Sequence, residues 1–358
     1  MPTEILVTGS GGLLGSALKQ ICPEATFVTQ KDGDLTDATQ TEHLFDRLRP
    51  KRVIHLAALV GGLKINSMRN ADFFETNLRI NTNVLSVAQR FGVSRLVSVL
   101  SNCAFQFYPD RPSTEEDLHI GLPFSGNLGY GYAKRMLDIQ TKLLWEQYGC
   151  QFSTITPVNL YGPQDNWDLD EGHVIGSLIH RCFLAKQQDK PLEVWGSGNA
   201  VRQFLYSFDA ARILLEALNT FRGVETMITA PEATITIREL VTLITQVMKF
   251  EGPIIFNRAK PEGELIRVMK SNRFHNFFPN FSFTPLDDGL RTTIEWFCAS
   301  YASLRGGHGP TKQSTSSEIV RQTTRRDSSG RTDSAKALRR TSTLPETLSC
   351  NDELAEHK

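Results

Sequence analysis

The sequence predicts an α/β fold: a Rossmann-type doubly wound parallel sheet with a smaller C-terminal substrate-binding lobe and a disordered C-terminal tail. Three observations carry this. The chain opens on a short β-branched run, Glu4-Ile5-Leu6-Val7-Thr8, followed at once by a glycine-rich turn and a helical pattern. Strand-like and helix-like stretches then alternate, the signature of parallel strands joined by crossover helices. After Leu304 the composition turns to Ser, Thr, Arg, Lys and Gly with no aromatic residue, too little apolar surface to offset chain entropy.

With 358 residues there is ample material for a core. Net charge is zero, which argues against a nucleic-acid partner. No apolar run approaches the roughly 18 residues of a membrane helix, and no secretory signal is visible, so a soluble cytoplasmic protein is expected. The six cysteines are scattered without a C-x-x-C pair, which suits reduced thiols and predicts no metal site.

The turn Gly9-Ser10-Gly11-Gly12-Leu13-Leu14-Gly15 has glycines at 9, 12 and 15. In a strand–turn–helix context the first permits the tight turn, the second admits a pyrophosphate to the backbone, and the third lets helix and strand pack closely. The following helix would offer the phosphates free N–H groups and a partial positive charge. The strand Thr26–Thr29 leads into Gln30-Lys31-Asp32. A cation directly after this strand favours a 2′-phosphate, so NADP(H) is the expected cofactor, with Asp34 and Leu35 near the adenine. Arg52–Leu56 reads as the next strand and ends in the small residues Ala57 and Ala58; Asn77–Phe91 reads as a helix.

The strand ending at Leu100 runs into Ser101-Asn102-Cys103. Ligands of open α/β sheets bind outside the carboxyl ends of strands, so Ser101 and Cys103 are expected there, on one side of an extended segment. Gly129-Tyr130-Gly131-Tyr132-Ala133-Lys134 starts an amphipathic segment, with Tyr130 and Lys134 one helical turn apart. A phenol has an ordinary pKa of about 10, and a neighbouring ammonium would favour its phenolate. Thr156–Leu160 reads as a strand, a polar loop follows, and His173 opens an apolar helix from Val174 to Leu184. Helices are expected near Ile237–Lys249 and Leu286–Tyr301. The expected organisation is residues 1–165 mainly for cofactor, 166–304 mainly for substrate with some crossing of the chain, and 305–358 as tail. In the tail, Ser328 and Ser342 each follow paired arginines, a context that fits phosphorylation.

The glycine turn, the serine after a mid-sheet strand and Tyr-x-x-x-Lys resemble the extended short-chain dehydrogenase/reductases. His55–Gly62, Ser101–Cys103, Gly129–Met136, Asn159–Pro163, Gly172–Ile175 and Val194–Asn199 narrow the resemblance to the GDP-L-fucose synthase family, over residues 4 to 303 in colinear order. That resemblance implies an NADPH-dependent 3,5-epimerase/4-reductase acting on GDP-4-keto-6-deoxy-D-mannose, working as a homodimer paired through the helices near Asn77–Phe91 and Leu137–Tyr148. It implies a reductase triad of Tyr130, Lys134 and Ser101, and an epimerase pair of Cys103 and His173. Cofactor contacts fall on Gly9 to Gly15, Lys31, Asp34, Leu35, Ala57, Ala58, Leu100, Ser101, Tyr130, Lys134, Pro157, Asn159, Leu160 and His173. Arg181, Trp195 and Arg202 are implied for the nucleotide diphosphate, and Glu262 for a further substrate contact. A 4-epimerase or dehydratase of the same fold, or a catalytically silent NADP-binding regulator, are the competing readings.

Three departures from the family pattern stand out. Glu262 replaces the usual Asp, Val158 stands where Thr is common, and Phe105-Gln106-Phe107-Tyr108-Pro109 is longer than the usual segment after the cysteine.

Overall fold

The computed structural model describes residues 3–260 and 262–305; of the expected tail only Arg305 is described, as the last residue of a helix, and Ser328 and Ser342 lie outside the described residues. The elements run β1 (Ile5–Thr8), α1 (Leu13–Ile21), β2 (Thr26–Val28), α2 (Ala38–Leu48), β3 (Arg52–His55), α3 (Leu63–Met68), α4 (Asn70–Arg90), β4 (Arg95–Val99), α5 (Leu128–Tyr148), β5 (Phe152–Pro157), β6 (Asn159–Tyr161), α6 (Val174–Gln188), β7 (Leu192–Trp195), β8 (Val201–Arg202), β9 (Phe204–Tyr206), α7 (Ser207–Thr220), β10 (Met227–Thr229), β11 (Ile235–Thr236), α8 (Ile237–Met248), β12 (Ile254–Asn257), α9 (Asn272–Phe277) and α10 (Leu286–Arg305).

Six strands form one parallel sheet in the order β10-β5-β4-β3-β1-β2. The strands are buried along nearly their whole length, as a sheet covered on both faces demands. Helices α1 and α7 pair on one face, and α2, α4 and α5 on the other. The chain leaves β1 toward β2, then returns past β1 to β3. The sheet therefore has its switch point at β1, where a ligand crevice opens at the carboxyl ends.

Glycine lets β1 turn into α1. Gly9 has φ +68°, and a Cβ there would stand 2.4 Å from the Cα of Ala57. Gly15 presses the helix onto the turn, where a Cβ would meet the Ser10 backbone at 2.5 Å.

A second apolar cluster lies outside the sheet, built from α6, α8 and α10 around Tyr161, Ile179, Leu240, Ile244 and Phe297. Three two-stranded pairings, β11 with β8, β12 with β7 and β6 with β9, tie these helices to the rest. The first cluster also takes in Met269, Phe274 and Phe278 from late in the chain, so the two cores interleave in sequence.

Two expectations are corrected. Helix α4 starts at Asn70, not Asn77: its first two turns bury Phe73 alone, and the buried face continues through Asn77 and Asn81. The segment after β4 is not extended. Asn102–Ala104 forms a 3-10 turn, with Ser101 as its N-cap accepting from the Cys103 N–H at 3.2 Å.

Candidate active site

The carboxyl ends of β1, β3 and β4 gather the chemistry. At β1, the buried Ser10 is fixed by its N–H and its hydroxyl, both donating to the Val28 carbonyl at 3.1 and 3.0 Å. No side chain caps α1, whose N-cap is Gly12, so its first turn is left for an anion. Lys31 is exposed just beyond β2, and Asp32 is turned back to accept from the Thr29 N–H at 2.8 Å. Asp34 accepts from Thr36, and Leu35 is partly buried against the sheet core. The glycine cradle and the exposed cation fit a phosphorylated dinucleotide.

Beyond β3, Leu59 is held by Asn77, which donates to its carbonyl at 3.0 Å and accepts from its N–H at 2.9 Å. His55 is buried between Thr8 and Asn81, with ring contacts of 2.8 and 3.1 Å. Burial, aided by the Lys134 charge, pushes His55 down to about 3 and keeps it neutral. His55 ties the ends of β1 and β3 to α4.

Beyond β4, Ser101 caps the turn, and its hydroxyl acts to lower the pKa of the Tyr130 phenol. Tyr130 is half-buried on α5, and its neighbouring glycines bring it there. A Cβ on Gly129 would stand 2.0 Å from the Asn70 carbonyl oxygen, and one on Gly131 would stand 2.7 Å from that of Cys103. Burial, then the nearby Cys103, push Tyr130 well above the ordinary phenol value, against the Ser101 hydrogen bond. The expected pull of Lys134 toward the phenolate does not prevail. Its buried ammonium donates to the Val99 carbonyl at 2.7 Å and sits 5.7 Å from the Tyr130 ring centre. Burial brings Lys134 down to about 8. Arg135, next along α5, spans the Ala104, Gly121 and Ile120 carbonyls at 2.7, 2.8 and 3.2 Å and secures the loop after Cys103.

His173 is the N-cap of α6, and its Nδ1 lies 2.7 Å from Asp165 Oδ1. The Asp165 side chain is 1% exposed, while that of His173 is 57% exposed. The Asp165 charge raises His173 above its ordinary value, against the opposing effect of burial. The loop before His173 reaches the segment after β3, where a Cβ on Gly62 would approach the Glu171 backbone at 3.2 Å. Asp165 was missed in sequence; its only signal is a carboxylate placed early in the polar loop that precedes His173. Pro157 ends β5, while Asn159 and Leu160 lie on β6; Asn159 donates to the Gln203 carbonyl at 2.9 Å and accepts from Asn102 at 3.5 Å.

The proposed substrate residues form another group. Arg181 stacks over Trp195 at 4.4 Å, and Lys260 lies 5.4 Å from the same ring. Arg202 is buried and pulled down to about 10 by burial and by Arg267. Its Nη2 donates to the Glu262 carbonyl at 3.5 Å, and the Glu262 carboxylate accepts from the Ser197 hydroxyl at 2.6 Å. No cluster of metal-ligating side chains occurs among the described residues.

A doubly wound sheet with a glycine cradle at its switch point, and a tyrosine, serine and lysine beside it, defines a dinucleotide-dependent enzyme of the epimerase and reductase kind. The chain belongs to the NAD dependent epimerase/dehydratase family, whose model matches residues 5–228. Within it, the chain is similar to the GDP-L-fucose synthase of Dictyostelium discoideum, 36% identical over 310 residues that cover 84% of this chain and 97% of the relative. It is 34% identical to a probable GDP-L-fucose synthase of Drosophila melanogaster, covering 84% and 99%. A GDP-L-fucose synthetase of Naegleria fowleri solved bound to NADP superposes with a TM-score of 0.79 at 36% identity, covering 84% and 94%. No helix among the described residues is long and apolar enough to cross a membrane.

Proposed function

We propose that this chain converts GDP-4-keto-6-deoxy-D-mannose to GDP-L-fucose, inverting C3 and C5 and then reducing C4 with NADPH. The observation that carries this reading is the placement of Ser101 and Cys103: the Ser101 hydroxyl accepts from the Cys103 N–H at 3.2 Å, and the Cys103 carbonyl lies against Gly131 of the helix that carries Tyr130. A thiol at that position supplies the base that inversion at C3 and C5 requires and that reduction alone does not.

The C4 ketone acidifies the hydrogens at C3 and C5. Cys103 removes a proton as base, and His173, held by Asp165, returns one to the opposite face. Ser101 and Tyr130 donate hydrogen bonds to the enolate oxygen, where fixed donors act most strongly. Tyr130, kept protonated by its raised pKa, then gives its proton to the C4 oxygen. The turn Gly9–Gly15, Lys31, Asp34, Leu35, Ala57, Ala58, Leu100, Pro157, Asn159 and Leu160 line the cofactor site, and Lys134 holds the nicotinamide ribose. Bound there, NADPH supplies the hydride for C4. Arg181, Trp195 and Arg202 hold the GDP portion, the arginines through paired bonds to phosphate oxygens, and Glu262 makes a further substrate contact.

The protein works as a homodimer through α4 and α5, which lie side by side and leave Phe74, Ile139 and Leu143 exposed. It acts in the cytoplasm, where the free thiols Cys22, Cys103, Cys150, Cys182 and Cys298 stay reduced. Incubation with GDP-4-keto-6-deoxy-D-mannose and NADPH, followed by NMR of the product, tests the activity. GDP-L-fucose with matching NADPH consumption is expected; redox-neutral interconversion or no turnover would overturn the proposal.

A further inference from the structure

The longer segment after Cys103 has a structural consequence. It carries Phe107, and the Arg267 guanidinium lies over that ring at 4.7 Å. From there Arg267 Nη2 reaches Cys103 Sγ at 3.5 Å, a contact spanning 164 positions of sequence. The other edge of the guanidinium faces Glu264, with Nε 3.6 Å from Oε2. Nη2 and one face of the group are thus engaged, Nε has only this longer ion-pair contact and no hydrogen bond among the described residues, and the side chain is only 16% exposed.

The backbone beneath it is held from two sides. Arg267 N–H donates to the Val201 carbonyl at 3.2 Å, and Val201 N–H donates to Leu265 at 2.8 Å. On the other side Ser113 N–H donates to Val268 at 3.0 Å, and Lys270 N–H donates to Ser113 at 2.9 Å. Gln203 brackets Met269, accepting from its N–H at 2.8 Å and donating to its carbonyl at 3.1 Å. A guanidinium so fixed serves as a directed donor.

We infer that Arg267, seated on Phe107, is a positioning residue for Cys103: it aims the sulfur and offsets its negative charge while it acts as base. This rests on the reading of Cys103 as the epimerase base. A hydrogen bond from a guanidinium to a charged acceptor is stronger than one between neutral groups. The nearby charges do not cancel it: Glu264 takes the opposite edge, and the second cation, Arg202, adds to the positive side.

The test compares wild type with Arg267→Gln, Arg267→Lys and Phe107→Leu. Three quantities are read: deuterium uptake from solvent at C3 and C5 of GDP-4-keto-6-deoxy-D-mannose without NADPH, the alkylation rate of Cys103 by iodoacetamide at pH 7, and NADPH affinity. Arg267→Gln should slow uptake and alkylation by about tenfold to a hundredfold, the range for losing one hydrogen bond to a charged group. Arg267→Lys should recover part of both, and NADPH affinity should not change. Phe107→Leu keeps the charge but removes its seat, should slow both rates less, and decides the matter if Arg267→Gln fails to fold. Undiminished uptake and alkylation in the variants would overturn the inference alone. So would a raised KM with unchanged uptake at saturation, the mark of a phosphate ligand. No uptake by the wild-type protein would overturn the inference and the proposed function together.

Discussion

The carbonyl oxygen of Cys103 lies 2.7 Å from the point where a Cβ on Gly131 would sit, so the helix bearing Tyr130 touches the turn bearing the thiol through bare backbone. The same Cβ would stand 2.8 Å from Pro123 Cβ. Two effects compete in Gly131→Ala. Helix propensity favours alanine by about 1 kcal/mol. Overpacking a tight contact costs about 1–3 kcal/mol, and here the obstacle is backbone that cannot rotate away. The clash should win: Gly131→Ala is expected to melt at lower temperature and to lose C3 and C5 proton exchange more than NADPH binding. An equal or higher melting temperature would show that the two segments are not in close register.

Asp165 should govern the pH range of His173. Its carboxylate is buried, and Oδ2 has no protein partner among the described residues, so the histidine is its main contact for charge. The folded-state pKa of His173 is raised, so the imidazolium survives to higher pH than in an unfolded chain. The stabilisation is fully present below the unfolded value and fades as pH rises through the folded one. Exposure of His173 screens part of it. Asp165→Asn should therefore move the alkaline limb of proton exchange toward acid pH, with NADPH affinity unchanged. An unmoved limb would remove His173 as the acid.

The doubly wound sheet was legible because glycine spacing and strand–helix alternation are local signals, as were α6 and α8. The start of α4 was not: between Asn70 and Thr76 only Phe73 is buried, so the first two turns carry no apolar period, and the buried face goes on through Asn77 and Asn81, recruited by the Leu59 backbone and by His55. Apolar periodicity cannot register a buried amide that finds its partner elsewhere in the chain. The chemistry-bearing residue types after β4 and at the start of α5 could be named from sequence. Their electrostatics could not, since burial of Tyr130 outweighs a lysine whose ammonium is committed to Val99. Asp165 and Arg267 act through contacts that only the fold creates.

Tyr130→Phe separates proton donation from cofactor binding. It removes one hydroxyl and leaves Ser101 its bond from Cys103 N–H. Loss of a proton donor typically costs about 10²–10⁴-fold. Reduction should fall by that range in single-turnover NADPH oxidation, while NADPH binds as before and proton exchange at C3 and C5 slows but persists. Unchanged reduction would sink the assignment of Tyr130.

Arg135→Lys tests what holds the loop after Cys103. The residue is 4% exposed, and burial lowers its pKa somewhat without discharging a guanidinium. Its planar fork reaches Ala104, Gly121 and Ile120 at once. A lysine ammonium is a single point on a flexible stem and cannot meet three carbonyls with that geometry. Each buried carbonyl left unpaired costs about 1–3 kcal/mol, offset where water or the ammonium recovers one. A net loss of about 2–4 kcal/mol is expected in denaturant unfolding. Because these carbonyls bracket the loop, limited proteolysis should cut first between Phe105 and Leu122, ahead of any cut in the sheet. Cys103 is one residue from the Ala104 anchor, so proton exchange should weaken alongside. Unfolding and proteolysis identical to wild type would mean that the loop is held by Ser113 and its bond to the Gln106 carbonyl, 2.9 Å long, and not by the arginine.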